Sequence, residues 1–347
     1  MFRGTPDMAG VASGNLPDAP KLLWSFKANS PVKSTAAIDS GRVFFGCDDG
    51  CVHALDLATG KSLWSFKTKD AIEAAPLVLD GIVYIGSSDS NLYALDAATG
   101  TPKWTYSTGD KIMGGANFFR ESGGLRILVG SYDANLHCVD AATGKKVWSV
   151  GTENYINGSP ALADGRIAFG GCDGFVHVVS ASDGREISKI EAGAYVAGSV
   201  AMKDRFAYFG QYGNEVVCAD LAGAGIVWRF KDRAFPFVSS PAVTDKFVLI
   251  GGNDKRLHCL SRADGKVVWQ FQTRGKIDGS AVVCGDKIVV GSQDGRLYLV
   301  GLETGKEIWS YEIGKALTAS PAVANGMIVI GSEDGSVYAF AAKPSKS

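Results

Sequence analysis

The sequence predicts an all-β fold: an eight-bladed β-propeller of four-stranded antiparallel blades, closed by an N-terminal strand that completes the C-terminal blade. Tryptophans recur at intervals of 40, 40, 44, 80, 41 and 40 residues, and Ser188 stands at the midpoint of the double interval, so there are eight registers. A period of this length is typical of repeat architectures. The tryptophans are Trp24, Trp64, Trp104, Trp148, Trp228, Trp269 and Trp309.

A strand-turn-strand motif leads to each repeated tryptophan. The best copy, Ala54–Trp64, reads ALDLATGKSLW, and Ala94–Trp104 keeps its Asp, Thr, Gly and Trp positions. Asp and Thr side chains hydrogen-bond the backbone of a turn, and glycine adopts a positive φ without strain. The motif therefore predicts two strands that reverse tightly at the Thr-Gly pair.

Two further strands precede this motif in each register. Val43–Gly46 is a short β-branched and aromatic run that Asp49 and Gly50 terminate, which is the pattern of a second hairpin. Before it lies a strand of small residues, for example Ser240–Val243, which reads SPAV. Four short strands in each of eight registers predict a propeller, in which the crowded innermost strand requires small side chains.

The two ends of the chain supply complementary parts of one blade. The eighth register stops after Val337–Phe340, without a turn or tryptophan strand of its own, whereas Lys21–Lys27 matches Lys61–Lys67 almost residue for residue. Pairing the first strand with the last hairpin removes the open sheet edges. We therefore predict an N-terminal extension over residues 1–20, the propeller over residues 21–341 and a C-terminal tail over residues 342–347.

Composition excludes several classes of function. The chain has 347 residues, of which 46% are hydrophobic and 20% charged, and its 35 basic and 36 acidic residues nearly cancel. Without an excess of positive charge there is no field to hold a nucleic acid, so we expect no nucleic-acid partner. No uncharged apolar run reaches the roughly 18 residues of a transmembrane helix, and we expect a monomer without such a segment.

The N-terminal residues leave the compartment open. Residues 1–20 lack the basic and apolar regions of a secretory signal. Two interpretations remain: the protein is cytoplasmic, or it is periplasmic or extracellular and a signal peptide upstream of Met1 is missing from this sequence.

Cysteine and histidine positions do not predict a catalytic or metal centre. The seven cysteines contain no CxxC pair, and Cys47 and Cys51, which can face each other across one hairpin, are either bridged or two free thiols. All four histidines share one repeat position, which sister repeats fill with tyrosine, so we interpret them as packing residues. The histidines are His53, His137, His177 and His258, and the tyrosines are Tyr93, Tyr298 and Tyr338.

The AxDxxTGxxxW pattern at Ala54–Trp64 and Ala94–Trp104 resembles the pyrroloquinoline-quinone-like (PQQ-like) β-propeller repeat family. This family includes quinoprotein alcohol and glucose dehydrogenases, the BamB lipoprotein that helps to assemble outer-membrane β-barrels, and sensor domains of bacterial kinases. Phe2–Pro6 also resembles the FRG-P segment that precedes the propeller in many secreted bacterial members. The resemblance implies an envelope protein whose Met1 is not the native start.

The resemblance implies two alternative functions. The first is a non-catalytic binding or scaffolding propeller, similar to BamB, which needs no cofactor and binds a protein partner or a small ligand at its funnel face. The second is a PQQ-dependent oxidoreductase that carries calcium. Its alcohol dehydrogenases have adjacent disulfide-bonded cysteines and long insertions above the quinone, whereas this chain has no Cys-Cys dipeptide and regular spacing between its tryptophans. We therefore favour the first alternative and predict no catalytic residue and no metal site.

The candidate binding residues lie in the loops that enter the inner strands, because these loops converge at one end of the axis and vary between repeats. The aligned positions hold Lys33, Glu73, Met113, Asn157, Ala197, Val238, Asp278 and Thr318. Blades four to six and the next loop add Tyr155, Tyr195, Arg233, Phe235, Phe237 and Arg274. Aromatic residues with arginine are typical of binding hot spots. The alternative is that Tyr155, Tyr195 and Phe237 plug the central channel.

Overall fold

The computed structural model describes residues 2–223 and 225–342, and over these ranges it contains 33 strands and no helix. The strands of the first half are β1 (Val11–Ala12), β2 (Lys21–Lys27), β3 (Ala37–Asp39), β4 (Arg42–Gly46), β5 (Cys51–Asp56), β6 (Ser62–Lys67), β7 (Leu77–Leu79), β8 (Ile82–Gly86), β9 (Asn91–Asp96), β10 (Pro102–Ser107), β11 (Asn117–Glu121), β12 (Gly124–Gly130), β13 (Asn135–Asp140), β14 (Lys146–Gly151), β15 (Ala161–Ala163), β16 (Arg166–Gly170), β17 (Phe175–Ser180) and β18 (Glu186–Glu191). Those of the second half are β19 (Ala201–Lys203), β20 (Phe206–Gln211), β21 (Glu215–Asp220), β22 (Gly225–Phe230), β23 (Ala242–Val243), β24 (Phe247–Gly251), β25 (Arg256–Ser261), β26 (Val267–Gln272), β27 (Val282–Cys284), β28 (Lys287–Gly291), β29 (Arg296–Gly301), β30 (Glu307–Glu312), β31 (Ala322–Ala324), β32 (Met327–Gly331) and β33 (Ser336–Ala341).

These strands form eight sheets, one for each predicted blade. Blade one is β3 to β6, blades two to seven follow in groups of four, and blade eight has the order β2-β33-β32-β31. Strand β2 pairs antiparallel with β33, with Trp24 opposite Ala339 and Ser25 opposite Tyr338. The predicted fold and its closure by an N-terminal strand are therefore confirmed.

Six of the turn motifs also receive the tryptophan of the preceding blade. In blade one, the backbone amide and hydroxyl of Thr59 donate to Asp56 Oδ1 at 2.8 and 2.6 Å, and Gly60 has a φ of 69°. The indole of Trp24 lies so close that a Cβ on Gly60 would stand 2.5 Å from it, and Trp24 Nε1 donates to the Leu57 carbonyl at 2.9 Å. The glycine thus allows the positive φ of the turn and leaves room for the indole of the neighbouring blade. The second role arises only when two repeats pack together.

The innermost strands are joined by a belt of hydroxyl groups. The Ser159 amide donates to Ser199 Oγ at 2.9 Å, and the Ser199 amide donates to Ser240 Oγ at 2.9 Å. The backbones are so close that a Cβ on Gly158 would lie 2.6 Å from the Gly198 carbonyl oxygen. Small residues are therefore necessary here, as the sequence predicted, and the serines also connect one blade to the next.

The N-terminal extension is part of the propeller interior. Its residues 2–13, called the plug below, run along the inner strands of blades four to seven. The carbonyl groups of Pro6 and Asp7 accept hydrogen bonds from Leu162 N and Met202 N, each at 2.7 Å. Strand β1 continues this path by pairing parallel with β27. The channel is therefore filled by the chain's own backbone rather than by the predicted aromatic loop residues.

Two side chains anchor the plug. Arg3 is buried, and its guanidinium donates to the Ala281 carbonyl at 2.7 Å and to the Pro241 carbonyl. Met8 is also buried and belongs to the hydrophobic cluster between blades four and five, together with Met202. This is the seam at which Ser188 replaces the tryptophan, although Met8 packs at the inner strands and Ser188 lies on the outer strand β18.

Other expectations have different outcomes. Cys47 and Cys51 are both free, so the structure supports the thiol alternative. Over residues 2–223 and 225–342 we find no helix with the length and hydropathy needed to cross a membrane. The expectation about Met1, and the predicted tail except for Ala342, lie outside the described residues.

Candidate binding face

Two sets of loops meet at one end of the propeller, which we call the loop face. One set precedes the innermost strands, and the other joins the second strand of each blade to the third. Backbone hydrogen bonds tie the sets together: Cys172 N donates to the Tyr155 carbonyl at 2.9 Å, and Tyr212 N donates to the Tyr195 carbonyl at 3.0 Å. Residues far apart in the sequence therefore share this surface.

Five aromatic residues lie on the loops of blades three to six at this face. We call Tyr132, Tyr155, Tyr195, Tyr212 and Phe235 the aromatic arc. Tyr132 and Tyr155 stack with ring centroids 4.7 Å apart, and the exposed fractions of Tyr155, Tyr195, Tyr212 and Phe235 are 47%, 54%, 52% and 46%. Large, half-exposed aromatic side chains on neighbouring loops are the composition of a protein-binding surface.

Asn157 links this arc to the channel mouth. Its Oδ1 accepts a hydrogen bond from the Tyr132 hydroxyl at 2.8 Å, and its Nδ2 donates to the Ala197 carbonyl at 3.0 Å. Both polar atoms of the Asn157 amide thus have protein partners. Asn157 therefore positions the tyrosine pair and has no free polar atom to offer to a ligand.

The opposite side of the loop face, on blades seven, eight, one and two, is polar. Lys33 Nζ lies 2.8 Å from Asp48 and 3.5 Å from Glu73. The hydrogen bond to Asp48 raises the pKa of Lys33 despite partial burial. Asp278 accepts a hydrogen bond from the Gln293 side chain, and burial raises the pKa of its carboxyl. Lys33 and Glu73 thus form one ion-pair cluster, whereas Asp278 belongs to a separate pair.

A small cavity lies at the centre of the loop face. It has a volume of about 130 Å³, and Glu73, Met113, Asn157 and Ala197 are in its lining, together with Phe2 of the plug. Phe2 also borders a second cavity of about 280 Å³ between the plug and blades seven, eight and one. Ligand pockets typically measure ~300–1,000 Å³, so the central cavity suits the tip of a side chain better than a whole cofactor.

The remaining predicted site residues divide into surface and core. Arg233 and Arg274 are exposed; Arg233 lies two residues before Phe235 in the loop of blade six, and Arg274 lies in the corresponding loop of blade seven. Phe237 is only 3% exposed and packs against Phe230 and His258, with centroid distances of 6.2 and 5.2 Å. Phe237 therefore belongs to the core between blades five and six and is inaccessible to a partner. Tyr155 and Tyr195, in contrast, project to solvent, and neither they nor Phe237 plug the channel.

This difference predicts opposite phenotypes for two neighbouring phenylalanines. We expect Phe237→Ala to lower the free energy of unfolding by about 3–5 kcal/mol, because it leaves a cavity between blades. We expect Phe235→Ala to change it by less than about 0.5 kcal/mol, because the ring is half exposed. Denaturant unfolding of both variants measures the difference, and equal destabilisation would contradict the assigned positions.

Tyr132, Tyr212 and Phe2 were not predicted as site residues. Tyr132 and Tyr212 share one repeat position, in the loop between the second and third strands, where sister blades carry Asp48, Ser88 and Gln293. Aligning that loop across the registers would have revealed them. Nothing in the repeat pattern indicates Phe2, because the plug has no counterpart in any other register.

The model that describes outer membrane protein assembly factor BamB matches the chain over residues 17–120, 114–185, 172–313 and 253–346. The chain belongs to this BamB family. A comparison with curated proteins gives no match. Because the matched ranges together extend over nearly the whole propeller, the predicted resemblance to PQQ-like repeats is confirmed.

Solved structures show the same fold for this BamB-family chain at low sequence identity. BamB from Moraxella catarrhalis is 19% identical, with a TM-score of 0.77 over 93% of this chain and 99% of that one. The computationally designed Ika8 protein is 17% identical, with a TM-score of 0.81 over 92% and 99%. The quinohemoprotein alcohol dehydrogenase from Comamonas testosteroni is 14% identical, with a TM-score of 0.82 over 98% and 80%.

The described residues of the BamB-family propeller do not fit a calcium-bound quinone on the axis. Calcium takes about 6–8 oxygen ligands. Among the described residues that line the central cavity, Glu73 supplies the single carboxylate, and Lys33 already pairs with it. The amide of Asn157 is occupied by Tyr132 and Ala197. The donor set for the metal is therefore incomplete.

Proposed function

We propose that this chain is a non-catalytic scaffold of the bacterial cell envelope that binds a protein partner through the aromatic arc and works without a quinone. The observation that carries the proposal is the concentration of half-exposed aromatic rings on the loops of blades three to six. The framework repeats in every blade, but these residues do not, and variation on a repeated scaffold is where a binding surface is built. Family membership supports a role in outer membrane protein assembly.

The layout of the loop face favours an extended polypeptide as the ligand. The arc offers apolar and π surface along one side, and the cluster of Lys33, Asp48 and Glu73 offers charge on the other. Between them the narrow cavity accepts one side chain. A segment that crosses the mouth can place aromatic or apolar side chains on the arc and a polar group near Lys33.

A matched pair of triple variants tests this proposal. The first is Tyr155→Ala, Tyr195→Ala and Phe235→Ala, and the control is Leu63→Ala, Val227→Ala and Val268→Ala. The control removes apolar side chains of equal exposure, with Leu63 and Val227 each 48% exposed, from outer strands far from the loop face. Each protein is expressed with an affinity tag in its native host, crosslinked in the cell and purified.

We expect the arc variant to lose the crosslinked partner and the control to keep it, with similar melting temperatures for both. Three hot-spot side chains at ~2 kcal/mol each would weaken binding by more than a thousandfold. Equal capture by both variants would exclude the aromatic arc as the binding surface.

The oxidoreductase alternative has its own test. Purified protein is mixed with PQQ and calcium and assayed for a bound-quinone absorbance and for dye reduction with alcohols and sugars. We expect neither signal, because the axial cavity is small and the calcium donors are incomplete. Dye reduction that saturates with the alcohol or sugar would overturn the non-catalytic proposal.

A further inference from the structure

Blade one lacks a side-chain hydrogen bond that six other blades share. In those blades a tyrosine or histidine of the third strand bonds to the aspartate four residues before it. The pairs are Tyr93 with Asp89 (2.7 Å), His137 with Asp133 (3.0 Å), His177 with Asp173 (2.8 Å), His258 with Asp254 (3.0 Å), Tyr298 with Asp294 (2.8 Å) and Tyr338 with Asp334 (2.5 Å). In blade one His53 Nε2 and Asp49 Oδ2 are both buried without a hydrogen-bond partner among the described residues. Two complementary polar groups are thus left open at the same place.

A thiol completes this cluster. Cys47 stands at the repeat position that carries serine in four other blades. Cys47, Asp49 and His53 each offer one ligand atom, and these atoms lie within 4.8 Å of one another. Tetrahedral ligands at ~2.0–2.3 Å from one zinc ion are roughly 3.3–3.8 Å apart. Side-chain adjustments of about 1 Å therefore bring the three atoms to coordination distance.

The imidazole of His53 is held in position for binding. Its ring stacks on Phe45 at a centroid distance of 5.1 Å and contacts Phe26 at 5.6 Å, and the residue is 8% exposed. Burial lowers the pKa of His53, although Asp49 opposes the shift. A ring fixed in this way is pre-positioned as a metal ligand, a role in which imidazole is neutral.

We propose that Cys47, Asp49 and His53 bind a zinc ion, with the fourth coordination position filled by water. Thiolate, imidazole and carboxylate together are donors for zinc, whereas calcium and magnesium take oxygen ligands. On binding, the Cys47 thiol releases its proton to solvent and the sulfur bonds to the metal as thiolate. The same turn carries Asp48, the partner of Lys33, so the ion would stiffen the polar side of the loop face.

Blade six contains a similar group that serves as an internal control. Ligand atoms of Asp232, Asp254 and His258 also lie within 4.8 Å of one another. Here, however, His258 Nε2 is 3.0 Å from Asp254, His258 Nδ1 is 3.1 Å from Gln270 Nε2, and Gln270 donates to Asp232 at 3.0 Å. The candidate ligand atoms of this group are already hydrogen-bonded to one another or to Gln270, so we expect the group to bind no metal.

The experiment uses the whole chain, purified free of metal in a reductant that keeps Cys47 and Cys51 as thiols. It is titrated with Co²⁺, whose thiolate charge-transfer band reports sulfur coordination, and then with Zn²⁺, which should displace the cobalt and raise the melting temperature. Cys47→Ser and His53→Tyr copy the residues of sister blades and so preserve the fold. We expect both to weaken binding at least tenfold and Cys47→Ser to abolish the band, whereas His258→Tyr leaves binding unchanged.

Two results would overturn the site. One is a wild-type protein that shows neither the cobalt band nor a shift in melting temperature with zinc. The other is a band that survives in Cys47→Ser, since sulfur would then come from another cysteine. Near-ultraviolet circular dichroism and the metal-free melting temperature of each variant establish that it is folded, so that loss of binding reports on the ligands.

Discussion

Deletion of residues 21–27 is expected to leave the protein barely folded at 25 °C. The deletion removes the whole of β2, and with it the partner of β33 and the indole of Trp24, which donates to the Leu57 carbonyl of blade one. Loss of one buried tryptophan side chain alone costs about 3–5 kcal/mol. Domains have a total stability of ~5–15 kcal/mol, and the deletion also exposes an unpaired strand edge. Denaturant unfolding followed by tryptophan fluorescence measures the loss.

Single substitutions distinguish the contribution of the Trp24 side chain from that of the whole strand β2. Trp24→Ala keeps β2 but empties the seam between blades eight and one, whereas Trp64→Ala empties the seam between blades one and two, where Trp64 Nε1 donates to the Ala97 carbonyl at 3.0 Å. We expect the two variants to lose similar stability, because closure uses the same contacts as an internal seam. An unchanged unfolding midpoint in Trp24→Ala would contradict closure by the N-terminal strand.

Removal of the plug, residues 2–13, is expected to lower the free energy of unfolding by roughly 4–11 kcal/mol. Four inner strands lose a hydrogen-bond acceptor on the plug backbone: Pro6, Asp7, Ala9 and Gly10 accept from Leu162, Met202, Val243 and Val283. Each such bond contributes ~0.5–1.5 kcal/mol, and loss of the buried Met8 side chain adds about 2–5 kcal/mol. Thermal and denaturant unfolding measure the effect.

Two point variants distinguish the plug from a loosely attached extension. Met8→Ala should reproduce about 2–5 kcal/mol of the loss, because Met8 packs in the seam where Ser188 replaces tryptophan. Val11→Ala, at an exposed position of the same segment, should change stability by less than about 0.5 kcal/mol. A deletion of residues 2–13 that unfolds at the wild-type midpoint would show that the inner strands are stable without the plug.

The plug determines the shape of the surface on which the aromatic arc lies. The plug fills the channel and places Phe2 beneath the central cavity, so the loop face is a shallow surface rather than an open pore. A shallow surface with half-exposed tyrosines suits a polypeptide, whereas an enclosed cofactor requires a deeper pocket. The zinc proposal can fail or hold separately from this function, because its test measures metal binding alone; its donors lie on a turn and the following strand of blade one.

The candidate site was predicted in part. Tyr155, Tyr195 and Phe235 were found because their loops depart from the repeat, and all three are exposed at the loop face. Phe237 was grouped with them because it follows Phe235 in the same loop, yet it lies at the position where Ile277 and Ile156 anchor the sister loops in the core. Sequence variation identifies a variable loop but does not reveal which of its side chains face the solvent.

The number of blades, their four strands, the turn chemistry and the closing strand all follow from the amino-acid sequence, because each is a local pattern repeated at a regular interval. The path of residues 2–13, the burial of Arg3 and the unpartnered atoms of Asp49 and His53 beside Cys47 became visible only in the tertiary structure. These features depend on contacts between segments with no shared motif: Arg3 bonds to Ala281, 278 residues away. Periodicity describes what the blades have in common, whereas the contents of the channel and a single altered turn are set by three-dimensional packing.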